Sequence, residues 1–218
     1  MSRFQAVIFD LDGTLLDSIA DLTDAMNTVL LKMGHAIHRV DDYKHMVGEG
    51  VRMLVVQALP EAVRDDVTIE RCVAMLREEY GKSWAVKTQP YEGIVELLEA
   101  LTARRVKMSV LSNKIDELTK RAVSHFFSGY SFAYVMGAIS PLPIKPDPTG
   151  ALWIARNLYI EPDKILFLGD SDTDMKTAAA AGMNPVGALW GFRTEDELWE
   201  SGARAVLHHP LALLDLLE

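Results

Sequence analysis

Cysteine is almost missing from this chain. Cys72 stands alone among 218 residues, so no disulfide can close within the chain and no cysteine cage for zinc can form. A reducing compartment fits that usage. Cys72 lies in the apolar-periodic stretch 67–80, where a small buried hydrophobe is expected rather than a reactive thiol. Positive charge is also short: 22 Lys and Arg against 31 Asp and Glu leave a net charge of −9. Such a surface repels nucleic-acid phosphates and anionic membranes, so neither is an expected partner. A local cationic pocket can still take a small anion. No apolar run is long enough to span a bilayer, and the N-terminal residues enter a strand-like segment without a signal-type apolar stretch. A cytoplasmic location is expected. Internal repeats and low-complexity tracts are absent too.

What is present is a core-forming composition, 49% hydrophobic, enough for one or two domains. Three short apolar runs each end abruptly in polar residues: 6–9 before Asp10, 108–111 before Ser112, and 165–168 before Gly169 and Asp170. Near-continuous apolarity over four residues suits a strand covered on both faces, as in a parallel sheet. Further strands are expected at 185–189 and 203–207. Helical spacing fills the gaps at 92–105, 116–127, 147–158 and 173–181, the last stopping at Gly182. Strands alternating with helices imply an α/β, doubly wound, Rossmann-like parallel sheet. Ligands of such sheets bind beyond the carboxyl ends of the strands, where the polar residues sit.

The stretch 16–83 reads differently. Ile19, Leu22, Met26, Val29, Leu30 and Met33 keep a helical spacing that ends at Gly34, and helical patterns follow at 41–47, 51–59 and 65–80. No strand candidate interrupts them. This is an all-helical module, residues 16–83, inserted in a catalytic core made of 1–15 and 84–218. Its connections near 16–18 and 82–89 are the expected hinge.

Four polar elements stand at or beyond strand ends. Asp10-Leu11-Asp12-Gly13-Thr14 places two carboxylates two residues apart, which face one side if the chain stays extended. They repel unless a cation or a shared proton intervenes. Ser112-Asn113-Lys114 offers a hydroxyl and main-chain amides for a phosphate oxygen, although Ser and Asn are also ordinary turn residues. Lys145 sits in Ile144-Lys145-Pro146-Asp147-Pro148, where flanking prolines limit its backbone. Gly169-Asp170-Ser171-Asp172-Thr173-Asp174 sets three carboxylates within five residues. Such a donor set suits a hard cation such as Mg²⁺, with Asp172 alternatively capping the next helix. The glycine and distal glutamate of an EF-hand loop are not in place.

In this order, over essentially the whole length, these elements resemble the four motifs of the haloacid dehalogenase (HAD) superfamily, and the helical insertion is similar to that family's cap. The resemblance implies a Mg²⁺-dependent phosphomonoesterase. Asp10 would be the nucleophile, forming an aspartyl-phosphate, and Asp12 the general acid and base. Ser112, Asn113 and Lys145 would bind the phosphoryl group. Asp10, the Asp12 carbonyl and Asp170 would hold the metal, with Asp174 supporting it from behind. The main-chain amides of Leu11 and Asn113 would contribute. Dehalogenases of the superfamily lack the second aspartate, so Asp12 argues for phosphoryl transfer.

The cap stretch His45-Met46-Val47-Gly48-Glu49-Gly50-Val51-Arg52 resembles a loop of phosphoglycolate phosphatases. The expected specificity residues are Glu49, Gly50 and Arg52, with Arg52 pairing a substrate carboxylate or simply lying solvated on a helix. A small phosphorylated acid such as 2-phosphoglycolate is therefore the expected substrate. A sugar-phosphate phosphatase, a β-phosphoglucomutase-like mutase and a non-enzymatic phospho-acceptor stay open. So do a monomer and a homodimer. The segment Trp190-Gly191-Phe192-Arg193 is similar to a Trp-Gly stretch of the same subgroup, and either borders the site entrance or forms a plain structural loop.

Overall fold

The computed structural model describes residues 3–217. Six parallel strands form one sheet in the order β5-β4-β1-β6-β7-β8. They are β1 (Ala6–Phe9), β4 (Lys107–Ile115), β5 (Tyr134–Ala138), β6 (Ile165–Gly169), β7 (Asn184–Ala188) and β8 (Ala205–Leu207). Every residue of β1 and β6 is buried, which is why these strands carry no polar alternation. Side chains of β1 still alternate in direction. Ala6 and Ile8 join Ala151, Ile154 and Ala155 of α7 (Thr149–Leu158) and Ala178 of α8 (Asp172–Ala180) on one face. Val7 and Phe9 join Leu97, Leu98 and Leu101 of α5 (Ile94–Ala103) and Val123 of α6 (Asp116–Phe126) on the other. Each fully buried Val, Leu, Ile or Phe among them contributes roughly 1.5–3 kcal/mol relative to leaving it exposed.

The chain leaves β1 for β4 and β5 on one side, then returns to β6 on the other. The switch in direction opens a crevice at the carboxyl end of β1, where doubly wound sheets bind ligands. Asp10 is the next residue.

Between β1 and β4, four helices pack together: α1 (Ile19–Lys32), α2 (Val40–Met46), α3 (Val51–Ala58) and α4 (Asp66–Ser83). Cys72 is buried among them. A two-stranded antiparallel ribbon, β2 (Leu16–Asp17) with β3 (Gln89–Pro90), ties the outgoing chain to the returning one. Just before β3 the return segment is gripped by Asp21 of α1. Its buried carboxylate accepts the amides of Val86, Lys87 and Thr88 and the Thr88 hydroxyl, at 2.7–3.0 Å.

The expected strand 108–111 runs on to Ile115, its register against β5 shifting between Leu111 and Ile115, so Ser112 and Asn113 lie within it. Strands β2, β3 and β5 and helix α9 (Glu195–Glu200) carry no signal that the sequence patterns caught. The first two are two-residue strands, and β5 is a half-buried edge strand containing Gly137. Among the described residues, no helix is long and apolar enough to cross a membrane.

Candidate active site

Three buried carboxylates converge beyond the sheet. Asp10, Asp170 and Asp174 each present one oxygen, and these oxygens lie within 4.8 Å of one another. Asp10 follows β1 and donates its amide to the Leu168 carbonyl. Asp170 follows β6 and is held by Thr14 Oγ1 at 3.2 Å and by the Phe192 amide at 2.9 Å. Asp174 lies in the first turn of α8 and caps it reciprocally with Ser171. Its carboxylate accepts the Ser171 amide and hydroxyl, and its own amide donates to Ser171 Oγ. Asp172, the alternative cap in the sequence, instead pairs with Lys176.

The backbone comes unusually close here. Gly13 has φ +89°, and a Cβ there would stand 2.3 Å from Asp170 Oδ2. A Cβ on Gly191 would stand 2.2 Å from Asp170 Cβ. Both glycines let the chain close around that carboxylate.

One lysine faces the three acids. Lys145 Nζ lies 2.8 Å from Asp10 Oδ1 and 2.5 Å from Asp174 Oδ1. Burial works against its charge, but Asp10 and Asp174 outweigh it and hold the ammonium above its ordinary range. Burial pushes the Asp10 carboxyl up to about 7, with Lys145 opposing and Asp174 adding to the rise. Burial, then Asp10 and Asp174, also raise Asp170 well above the usual carboxylate range. Three acids with one lysine can all ionise together only beside further positive charge. All-oxygen donors so arranged fit a hard divalent cation.

Asp12 points to a different set of partners. Ser18 Oγ donates to Oδ1 at 2.6 Å, and Lys114 Nζ donates to Oδ1 and Oδ2 at 2.9 and 3.0 Å. The same ammonium donates to Tyr80 Oη of α4 at 2.8 Å. Asp10, Asp12, Ser112 and Asn113 share a cavity of about 80 Å³ with residues of the helical module, among them Gly48, Gly50, Arg77 and Tyr80. That is room for about half a dozen waters, so for a small molecule.

The structure brings Asp10, Asp12, Ser112, Asn113, Lys145, Asp170 and Asp174 to one crevice. The side chain of Asn113 is engaged within the protein. It bonds the Lys145 amide and carbonyl and the Gly48 carbonyl, tying the helical module's loop to the core. Gly50 lines the cavity, but Glu49 and Arg52 do not. Glu49 is exposed, and Arg52 is drawn outward by Asp66 at 2.6 Å and Glu70 at 3.2 Å. Arg193 does border the site. It donates to the carbonyls of Lys44, His45 and Val47 at the end of α2, where a cation suits the helix terminus. Trp190 Nε1 donates to the Thr14 carbonyl at 2.9 Å.

Sequence reasoning gave no role to Lys114, Tyr80, Arg77 or Ser18. Lys114 adjoins Ser112 and Asn113 and was within reach. Tyr80 and Arg77 sit in an ordinary helical pattern that gives no sign of what they face, and Ser18 sits in the connection just before α1.

An acidic crevice at the switch point of a doubly wound sheet, under a helical lid, defines a hydrolase of the cap-bearing α/β kind. The family model of haloacid dehalogenase-like hydrolases matches residues 7–188. The chain belongs to that family. It is 35% identical over 189 residues to the phosphoglycolate phosphatase of Aquifex aeolicus, covering 86% of each chain. With phosphoglycolate phosphatase 1 of Pseudomonas aeruginosa it shares 32% over 215 residues, 97% of this chain and 78% of the relative. A solved structure from Lactobacillus delbrueckii subsp. bulgaricus, provisionally named a phosphoglycolate phosphatase, matches at TM-score 0.92 and 30% identity, covering 100% of this chain and 99% of that one.

Proposed function

We propose that the chain hydrolyses small phosphomonoesters through an aspartyl-phosphate on Asp10, with a phosphorylated acid such as 2-phosphoglycolate as substrate. The observation that carries this is the pairing of Asp10 with Lys145 beside two further acids, with Asp12 two residues away under a lid of helices.

An Asp10 oxygen attacks phosphorus, and the bond to the ester oxygen breaks as that oxygen takes a proton from Asp12. Water then attacks the acyl phosphate, giving its proton to Asp12 and freeing Asp10 as inorganic phosphate leaves. Lys145 offsets the repulsion between Asp10 and the incoming phosphate. Ser112 Oγ and the Asn113 amide would bind its oxygens. A divalent cation such as Mg²⁺, held by Asp10, Asp170 and the Asp12 carbonyl with Asp174 behind, would neutralise phosphoryl charge. The module of residues 16–83 would move as a cap on the core of 1–15 and 84–218. Because Asp21 fixes residues 86–88 to α1, the bending falls at the β2–β3 ribbon.

A panel of small phosphomonoesters assayed with Mg²⁺ tests this. Steady phosphate release, with 2-phosphoglycolate near the top, is expected. Bisphosphate-dependent isomerisation with little release would mark a mutase. Stable phosphorylation without turnover would mark an acceptor module. A flat ranking would remove the substrate and leave the chemistry.

A further inference from the structure

Arg77 lies on α4 three residues before Tyr80. Residues so spaced share a helix face, and both line the cavity. The lysines of the site are committed: Lys145 to Asp10 and Asp174, Lys114 to Asp12 and Tyr80. Among the described residues Arg77 has no hydrogen-bond or ion-pair partner. Apart from these groups the wall contributed by the helical module is largely apolar, with Leu22, Val51, Leu54 and Leu76. A neutral tail would be served by that wall alone. An unpaired guanidinium in it answers an anionic tail.

We propose that Arg77 binds the carboxylate of the substrate, so that the site selects small phosphorylated acids over neutral phosphomonoesters. This rests on the phosphatase reading above and deepens it. Phosphate would be held at the Asp10–Lys145 end, by the core, and the carboxylate at Arg77, by the helical module. A planar guanidinium can take a carboxylate through two parallel hydrogen bonds. On a chain of net charge −9, it also offsets repulsion of a multiply charged substrate. A substrate that bridges the two parts in this way would favour the closed arrangement through contacts available only there. Arg52, the cation expected from the sequence, is already paired with Asp66 and Glu70.

The test compares kcat/KM for 2-phosphoglycolate and for ethyl phosphate, which replaces the carboxylate with a methyl group. The wild type, Arg77→Met and Arg77→Lys are assayed with Mg²⁺, and circular dichroism confirms folding. The wild type should prefer the acid. Arg77→Met should lower that preference about 10- to 100-fold, chiefly through KM, and Arg77→Lys should restore part of it. Turnover of both esters with a preference that Arg77→Met leaves unchanged would overturn the assignment while sparing the phosphatase reading. Turnover of neither ester by the wild type would overturn both.

Discussion

Lys114 Nζ donates to both carboxylate oxygens of Asp12, at 2.9 and 3.0 Å. It also donates to Tyr80 Oη of α4 at 2.8 Å and lies 4.6 Å from the centre of that ring. Burial opposes the charge on Lys114, and Asp12 and Tyr80 more than compensate, so its ammonium is held above the ordinary range. The carboxylate proposed as acid and base is thus oriented by a group that also touches the helical module. Its alignment therefore draws on a contact with that module.

Lys114→Met should therefore lower kcat about 10- to 100-fold, the scale of a misplaced acid–base group, with little change in KM. Tyr80→Phe should lower it by less. Steady-state kinetics on folded variants decide the matter. A raised KM with unchanged kcat would mean that Lys114 serves binding rather than alignment.

Arg193 holds the last turn of α2 and the start of the following loop against the core through three carbonyls, those of Lys44, His45 and Val47. The same loop is tied to Asn113 through the Gly48 carbonyl. Arg193→Ala removes the first of these ties and should raise KM about tenfold, the scale of one lost charge-assisted hydrogen bond. An unaltered KM would show that the Asn113 tie suffices.

The acidic cluster makes stability depend on pH and on metal together. Burial raises Asp10 from 3.8 to about 7, so the folded chain binds this proton more tightly than the unfolded one. Its contribution to metal-free stability is complete below about pH 4 and is lost as pH rises through about 7. A divalent cation would compensate where the acids are ionised. Saturating Mg²⁺ should then raise the melting temperature by about 5–10 °C at pH 8, at a hundredfold excess over Kd. The gain should be much smaller at pH 5, and a chelator should reverse it. Equal melting curves with and without Mg²⁺ at pH 8 would speak against the cluster as a metal site.

Legibility followed from how locally each feature is encoded. Buried parallel strands announce themselves as apolar runs, and β1, β6 and β7 fall within a residue or two of their expected places. Asp10, Lys145, Asp170 and Asp174 were readable because each abuts such a run or a constrained loop. The edge strand β5, half-buried throughout, lacks that signature. The cap was harder. Its helices are legible from spacing, but which residues face the core depends on how the module packs. Arg52 and Arg77 look alike as helical arginines, yet Asp66 and Glu70 claim the first and the cavity exposes the second. No local pattern separates them.

The central claim is that Asp10 carries the phosphoryl group, and one experiment addresses it directly. Enzyme quenched in acid during turnover of 2-phosphoglycolate, or of whichever ester it hydrolyses fastest, is mapped by peptide mass spectrometry beside Asp10→Asn. Asparagine keeps the shape of the side chain and removes a charge that burial disfavours, so the variant should fold. The account predicts one phosphoryl group on Asp10 in the wild type, none in Asp10→Asn, and a loss of turnover of at least about 1,000-fold. Substantial turnover by Asp10→Asn, or a phosphoryl group mapped to another residue, would contradict it.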